Sequence, residues 1–236
     1  MVFFDDLETR SGDESAAELA DILPSQIARA KALGGYKTTL ADITARDITS
    51  ATVLAQLPVL RKSVLSQAQG SWSPFGGFTT RNVTGFGHIF QSPGPIYEPG
   101  GIEFDWWRMG RFLHACGIGS GDIVQNCFAY HLTPAGMIFE SGVRAVGATV
   151  LPAGTGQTEL QVRAAVDIGT TAYAGTPDYL KVILDAADEM GETLSFTKAA
   201  VGGGALFPSL RQEYADRGIA CLQCYATADL GNIAYE

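Results

Sequence analysis

A chain of 236 residues with 46% hydrophobic and 17% charged side chains can bury a core, and it suits one large domain or one domain with a small appendage. Its net charge of -9 and the lack of any Lys or Arg cluster argue against a nucleic-acid surface, which needs a basic stripe to displace counterions from phosphates. No apolar run reaches the ~18 to 20 residues of a membrane span, and Met1-Val-Phe-Phe-Asp-Asp-Leu-Glu lacks a basic leader region, so a soluble, cytoplasmic protein acting on a small molecule is expected.

The first predicted element is a helix capped by Asp13 or Ser15 and running to about Leu33, with Leu19, Ile22, Leu23, Ile27 and Ala30 near helical spacing and Gly34-Gly35 as its stop. A second, short helix follows Thr49-Ser50, carries Val53, Leu54 and Leu57, and ends before Pro58. Residues 57–62 read as a turn. Between Gly70 and Gly101 the chain is rich in glycine and holds Pro74, Pro93, Pro95 and Pro99, so turn-rich structure is expected, with one strand within 83–90 and a loop over 91–99. A helical pattern over 104–116, with Phe104, Trp106, Trp107 and Phe112, is ended by Gly117 and Gly119. The two adjacent tryptophans suit core or a subunit interface, and a homodimer is left open.

From Asp122 the pattern becomes regular. Strands are predicted over 123–130, 149–151, 171–173, 198–201 and 219–224, alternating with helices over 134–146, 158–166, 177–190 and 208–217. This alternation predicts an α/β fold: a helical N-terminal segment over 1–80, then a mainly parallel sheet over 81–236 with helices on both faces. Ligands in such folds sit beyond the carboxyl ends of the strands, so the loops after Tyr130, Tyr173, Val201 and Cys224 are expected on one edge. Thr133-Pro134 and Thr176-Pro177 read as helix starts, either as capping alone or as anion sites. Gly202-Gly203-Gly204 can admit a flat ring or a phosphate to the backbone, or can serve a tight turn.

Other constellations lead less far. Cys221-Leu-Gln-Cys224 has CxxC spacing, but zinc needs two further ligands and neither a second CxxC nor a nearby His pair exists; Cys116, Cys127, Cys221 and Cys224 read as reduced core residues. Gly117-Ile-Gly119-Ser-Gly121 precedes a strand, whereas a dinucleotide fingerprint follows one. No Gly-x-Ser-x-Gly elbow occurs. His131, at a strand end on the presumed ligand edge, is the histidine retained as a candidate.

The motifs Ala174-Gly-Thr-Pro-Asp-Tyr-Leu180, Ala200-Val-Gly-Gly-Gly204, Pro208-Ser-Leu-Arg211 and Tyr225-Ala-Thr-Ala-Asp229 occur in the order and approximate separation found in phenylacetate-CoA ligases, and the chain resembles that branch of the adenylate-forming, AMP-binding superfamily over nearly its whole length. The last motif matches Tyr-Gly-x-Thr or Ser-Glu, with Ala228 where the family has a hydroxyl and Asp229 where it has Glu. The resemblance implies an adenylate-forming N-terminal domain whose parent is an ATP-dependent acid-thiol ligase using ATP/AMP, Mg2+ and CoA on an aromatic or aliphatic carboxylate. It implies adenine at Gly203, Gly204 and Tyr225, phosphate at Thr227, magnesium at Asp229, and an acyl pocket walled by Gly175, Thr176, Pro177 and Tyr179 with Phe128, Tyr130 and His131. The phosphate-loop counterpart is residues 92–98, where Ser92 and Gly94 keep part of the pattern while two prolines lack N-H donors and Glu98 would repel phosphate. The family's ribose-binding Asp and Lys-bearing C-terminal lid have no counterpart in the sequence, so weak or absent adenylation by the chain alone is expected. Adenylyl transfer to another acceptor, or a non-catalytic nucleotide- or carboxylate-binding module, are the alternatives.

Overall fold

Helix formation begins at Ser11, whose hydroxyl accepts the Glu14 N–H at 3.2 Å while the Glu14 carboxylate accepts the Ser11 N–H at 2.8 Å, a reciprocal capping box. This cap, two residues before the earlier of the two expected ones, opens α1 (Gly12–Lys31) in the computed structural model, which describes residues 3–71 and 74–236. The chain divides into two compact units, Met1–Gly100 and Gly101–Glu236.

In the first unit α1 buries Leu23 and Ile27, and Ser50 caps the short α2 (Ala51–Leu54). A third helix, α3 (Lys62–Ser71), occupies a stretch without apolar period and buries no residue, which is why the sequence pattern did not reveal it. The expected strand and loop over 83–99 are instead an antiparallel hairpin, β1 (His88–Ser92) with β2 (Ile96–Gly100), in the register Phe90↔Glu98 and Ser92↔Ile96. Gln69 on α3 clamps it, donating to the Tyr97 carbonyl and accepting the Tyr97 N–H, both at 2.7 Å. Expectations that fall on Trp72 and Ser73 lie outside the described residues.

In the second unit the aromatic stretch is helical only over α4 (Gly110–Ala115), because the Asp105 carboxylate accepts the N–H groups of Met109 and Gly110 at 2.9 to 3.1 Å and turns the preceding chain. Burial raises the Asp105 pKa despite these bonds. Then follow β3 (Ile123–Asn126), α5 (Ala135–Ala145), β4 (Thr149–Leu151), α6 (Thr158–Ile168), β5 (Ala172–Gly175), α7 (Pro177–Met190), β6 (Lys198–Val201), α8 (Pro208–Asp216), β7 (Ala220–Thr227) and β8 (Gly231–Tyr235). The sheet order is β4-β3-β5-β6-β7-β8, parallel throughout except for the last pair. The α/β expectation of a mainly parallel, helix-flanked sheet therefore holds, with one antiparallel edge added.

Helices α6, α7 and α8 pack Val162, Leu180, Ile183 and Tyr214 against Tyr173, Ala199, Val201 and Cys221 of the sheet. Helices α4 and α5 contact each other so closely that a Cβ on Gly142 would lie 2.5 Å from the Met109 Cβ. Cys224, three positions from Cys221, points to the other side of the sheet, where its Sγ neighbours Gly202 and Phe139 does likewise. The two CxxC thiols thus face opposite layers, and burial pushes each up to about 12. At the amino end of the sheet Asp122 joins three strands, pairing with Lys198 at 2.7 Å and accepting from Thr171 at 2.8 Å. Among the described residues no helix is long and apolar enough to cross a membrane.

Candidate functional site

The strands β3, β5, β6 and β7 run parallel, so the segments after Asn126, Gly175 and Val201 and the β7–β8 turn share one edge of the sheet. The expected strand over 123–130 ends at Asn126, which leaves Phe128, Tyr130 and His131 in the connection to α5. This shortening moves Phe128 and Tyr130 from the expected strand into the ligand-edge loop, where His131 was already expected.

Gly203 has a left-handed backbone, φ 71°, and Gly203, Gly204 and Ala205 are exposed. A Cβ built on Gly203 would lie 3.6 Å from Phe128 Cε1 and 3.8 Å from Thr176 Cγ2, and one on Gly204 would lie 3.4 Å from Pro177 Cδ. Phe128, Thr176, Pro177 and the glycine turn are therefore one neighbourhood. Thr176 stands at the N-cap of α7 with Pro177 in the first turn, yet its side chain makes no capping hydrogen bond; Pro134 itself, rather than Thr133, is the N-cap of α5. The capping role expected of both threonines is thus corrected. Gly175 is buried, and a side chain there would collide with the Tyr173 hydroxyl, which donates to the Thr176 carbonyl at 3.0 Å. Tyr179 stands farther along α7, its hydroxyl 3.4 Å from that of Thr158.

The glycine turn is tied to β7 through Gln223, whose amide donates to the Gly204 carbonyl at 2.9 Å and accepts the Leu206 N–H at 3.1 Å. Tyr225 lies two positions on, hence on the same strand face, and is 62% exposed, so its ring is open to stacking beside the turn. The stretch 225–231, expected as a loop, divides into the end of β7, a tight turn and the start of β8. Thr227 Oγ1 accepts the Leu230 N–H at 3.2 Å, which shapes that turn and leaves the hydroxyl hydrogen for another acceptor; Asp229 is exposed on it. The turn is fastened from behind. Arg108 donates to the Leu230 carbonyl, Asn232 donates to the Trp107 carbonyl at 2.8 Å, and a Cβ on Gly231 would meet that same carbonyl at 2.3 Å.

Three residues absent from the sequence-based candidates organise this edge: Asn126, Gln161 and Gln223. Gln161, on α6 and buried, accepts from Gln125 at 3.1 Å and from Cys127 at 3.2 Å while donating to the Gly154 and Gly156 carbonyls at 3.1 and 2.7 Å. The available signal was a polar amide inside or beside an apolar run, as in Ile123-Val-Gln-Asn126. Ser92 and Gly94 belong to the hairpin of the first unit. There the Ser92 hydroxyl donates to Glu98 at 2.5 Å, and Lys62 reaches the same buried carboxylate at 3.3 Å.

Asp229 and Thr227 share the β7–β8 turn, and a single carboxylate is the kind of ligand that holds magnesium jointly with phosphate oxygens and water, since that ion takes few protein ligands. Among the described residues no group of three or more His, Cys, Asp or Glu side chains forms an all-protein metal cage.

No protein-family model matches the chain. It is 28% identical over 163 residues to the phenylacetate-coenzyme A ligase of Aromatoleum evansii, covering 66% of this chain and 36% of that enzyme. It is 30% identical over 112 residues to the phenylacetate-coenzyme A ligase of Thermus thermophilus, covering 46% and 25%. In fold it resembles 2-hydroxyisobutyryl-CoA ligase in the postadenylation state in complex with R3-HIB-AMP, with a TM-score of 0.85 at 18% identity over 94% of this chain and 50% of that one. A structure of the same ligase with 2-HIB-AMP and CoA gives a TM-score of 0.84 over 92% and 50%. The chain spans about half the length of this structural relative and about a third of the first sequence relative.

Proposed function

We infer that this chain, a phenylacetate-CoA ligase-like member of the adenylate-forming superfamily, carries the acid- and nucleotide-binding edge of an ATP-dependent ligase that makes an acyl-adenylate and passes the acyl group to CoA. One observation carries the reading: the exposed Gly203-Gly204 turn stands against Phe128 and Thr176 on one side and is clasped by the strand that presents Tyr225 on the other. An aromatic face beside bare backbone suits a purine, and the apolar Phe128 wall suits a flat carboxylic acid.

In the proposed reaction the acid's carboxylate attacks the α-phosphorus of ATP, pyrophosphate leaves, and CoA sulfur then displaces AMP from the acyl carbon. In this reading Tyr225 stacks on the base, Thr227 donates its hydroxyl hydrogen to phosphate, and Asp229 would hold magnesium. Bound there with phosphate, magnesium supplies neutralisation of phosphoryl charge. Gly175, Thr176, Pro177 and Tyr179 with Phe128, Tyr130 and His131 form the acid side. Asp229 would hold the ion with a side chain one methylene shorter than the Glu of the family motif.

Titration calorimetry of the chain with AMP and with phenylacetate tests the edge, and pyrophosphate exchange by the protein in its longest form tests the chemistry. Binding of both ligands with arylacetate-dependent exchange is expected; Tyr225→Ala should weaken AMP by about 1 to 3 kcal/mol, the worth of one base stack. Absence of AMP binding removes the reading.

The hairpin favours a second reading, that of a non-catalytic nucleotide- or carboxylate-binding module. Ser92 donates to Glu98 instead of facing solvent as a phosphate ligand, and Pro93 and Pro95 have no N–H. Retained AMP binding with no exchange in the longest form supports it over the ligase.

A further inference from the structure

Asn126 closes β3 with its side chain wholly buried, and every polar atom of that side chain is engaged. Its amide nitrogen donates to the Tyr130 hydroxyl at 2.8 Å and to the Gly136 carbonyl at 2.9 Å; its amide oxygen accepts the Phe128 N–H at 3.2 Å. The loop is shut from its far end too. The Gly136 N–H donates to the Ala129 carbonyl at 2.9 Å, and a Cβ on Gly136 would stand 2.6 Å from that oxygen and 2.9 Å from the Tyr130 ring. Segment 127–136 is thus wound around one amide and pressed onto a glycine.

No other side chain of similar size can make this set of bonds. Aspartate offers acceptors where two donors are needed, leucine offers neither, and serine is too short to bridge the loop. The Tyr130 phenol, which accepts from Asn126, hydrogen-bonds Glu140 as well; burial, then the Glu140 charge, holds its pKa above the ordinary value and keeps it a neutral donor. The other end of the bracing lies on Phe128, stacked on Phe139 at 4.2 Å and reaching toward the Gly203 backbone and Thr176. Displacing the Phe128 backbone therefore changes the width of the space between the aromatic wall and the glycine turn.

We propose that Asn126 is a positioning residue for acid selection: by fixing Phe128 and Tyr130 it sets the width of the acid-facing wall and restricts the site to compact, flat carboxylic acids. The proposal rests on the acid-site reading given above. It assigns Asn126 no contact with the acid; its action passes through the two aromatic residues.

The test uses the whole chain with phenylacetate, 4-phenylbutyrate and AMP as probes in titration calorimetry. Asn126→Asp should weaken phenylacetate about tenfold, narrow or invert its preference over phenylbutyrate, and leave AMP within about twofold, since the loss of two buried hydrogen bonds is confined to one loop. Tyr130→Phe should shift the acid preference in the same direction by a smaller factor. The double variant Asn126→Asp/Tyr130→Phe should be no worse than Asn126→Asp, because both changes break one shared link. Equal losses of acid and AMP, or an unchanged acid preference in variants that still bind acid, overturn the proposal and leave the acid site standing. Wild-type chain that binds AMP but no arylacetate overturns the acid-site reading and this inference with it. If Asn126→Asp does not fold, Tyr130→Phe decides, and an unchanged preference there overturns the proposal.

Discussion

The β1–β2 hairpin and the carboxyl edge of the six-stranded sheet both turn the chain back sharply, and they stabilise their turns with opposite chemistry. In the hairpin a buried carboxylate, Glu98, accepts from Ser92 and pairs with Lys62. At the edge, neutral amides do this work: Asn126 braces the loop after β3, Gln161 the loop after β4, and Gln223 the turn after β6. An amide braces without spending or adding charge, so the edge remains open to an anionic ligand, whereas the hairpin already holds a negative group where a phosphate would need positive ones. That difference favours the edge over residues 92–98 for the proposed nucleotide and acid sites.

Substitutions on either side of this contrast should differ in size and in readout. Gln161→Leu should cost about 2 to 3 kcal/mol in urea denaturation, because it removes a partner of the buried Gln125 amide and unties the half-buried Gly154 and exposed Gly156 carbonyls from α6. Little loss would mean that the loop after β4 is not amide-braced. Glu98→Ala should cost about 2 kcal/mol of hairpin stability, read by hydrogen exchange at Phe90, with no change in AMP affinity; a changed AMP affinity would give the hairpin a ligand role. Gln223→Leu should cost only about 1 kcal/mol of stability while weakening AMP severalfold, since it frees the Gly204 turn.

Acid provides a further division. Burial opposes the charge on Asp122, but hydrogen bonds from Lys198, the Gly119 N–H and Thr171 outweigh it and hold its pKa below the ordinary value. Its folded pKa being depressed, its contribution is present above the unfolded value of about 4 and is lost as pH falls through the folded pKa. Lys198→Met should flatten that acid limb in thermal denaturation below about pH 4, while amide exchange at Phe128 and Leu206 stays independent of it. The smallest effect is expected from Arg211→Met, which removes a half-exposed pair with Glu236 and should cost less than about 1 kcal/mol.

The alternation after Asp122 was legible because Gly and Pro punctuate it and the strands are apolar runs, and with it came the shared edge that gathers Phe128, Thr176, Pro177, Gly203 and Gly204. The hairpins were hidden for a local reason. Pro93, Pro95 and Pro99 read as strand breakers, yet Pro93 and Pro95 fall in the turn between the strands, and a two-stranded ribbon tolerates Pro99 on an edge strand. The turn at Ala228-Asp229-Leu230 lacks a central glycine, so β8 did not announce itself. Asn126, Gln161 and Gln223 could not be assigned from sequence, since the backbone and side-chain groups they bond are brought near by the fold; Gly204 lies 19 residues from Gln223.

The turn that carries Asp229 is pinned by Arg108 from a point 122 residues earlier in the chain, and Gly231 has no room for a side chain against Trp107. A contact of such sequence separation forms only after a large loop has closed, so the candidate metal turn is a late-maturing part of the unit. A folding intermediate with the parallel strands complete can therefore expose the Tyr225 ring while the Asp229 carboxylate, four residues further on, still lacks its final direction. If the proposed roles of Tyr225 and Asp229 hold, nucleobase affinity should appear earlier in refolding than magnesium dependence.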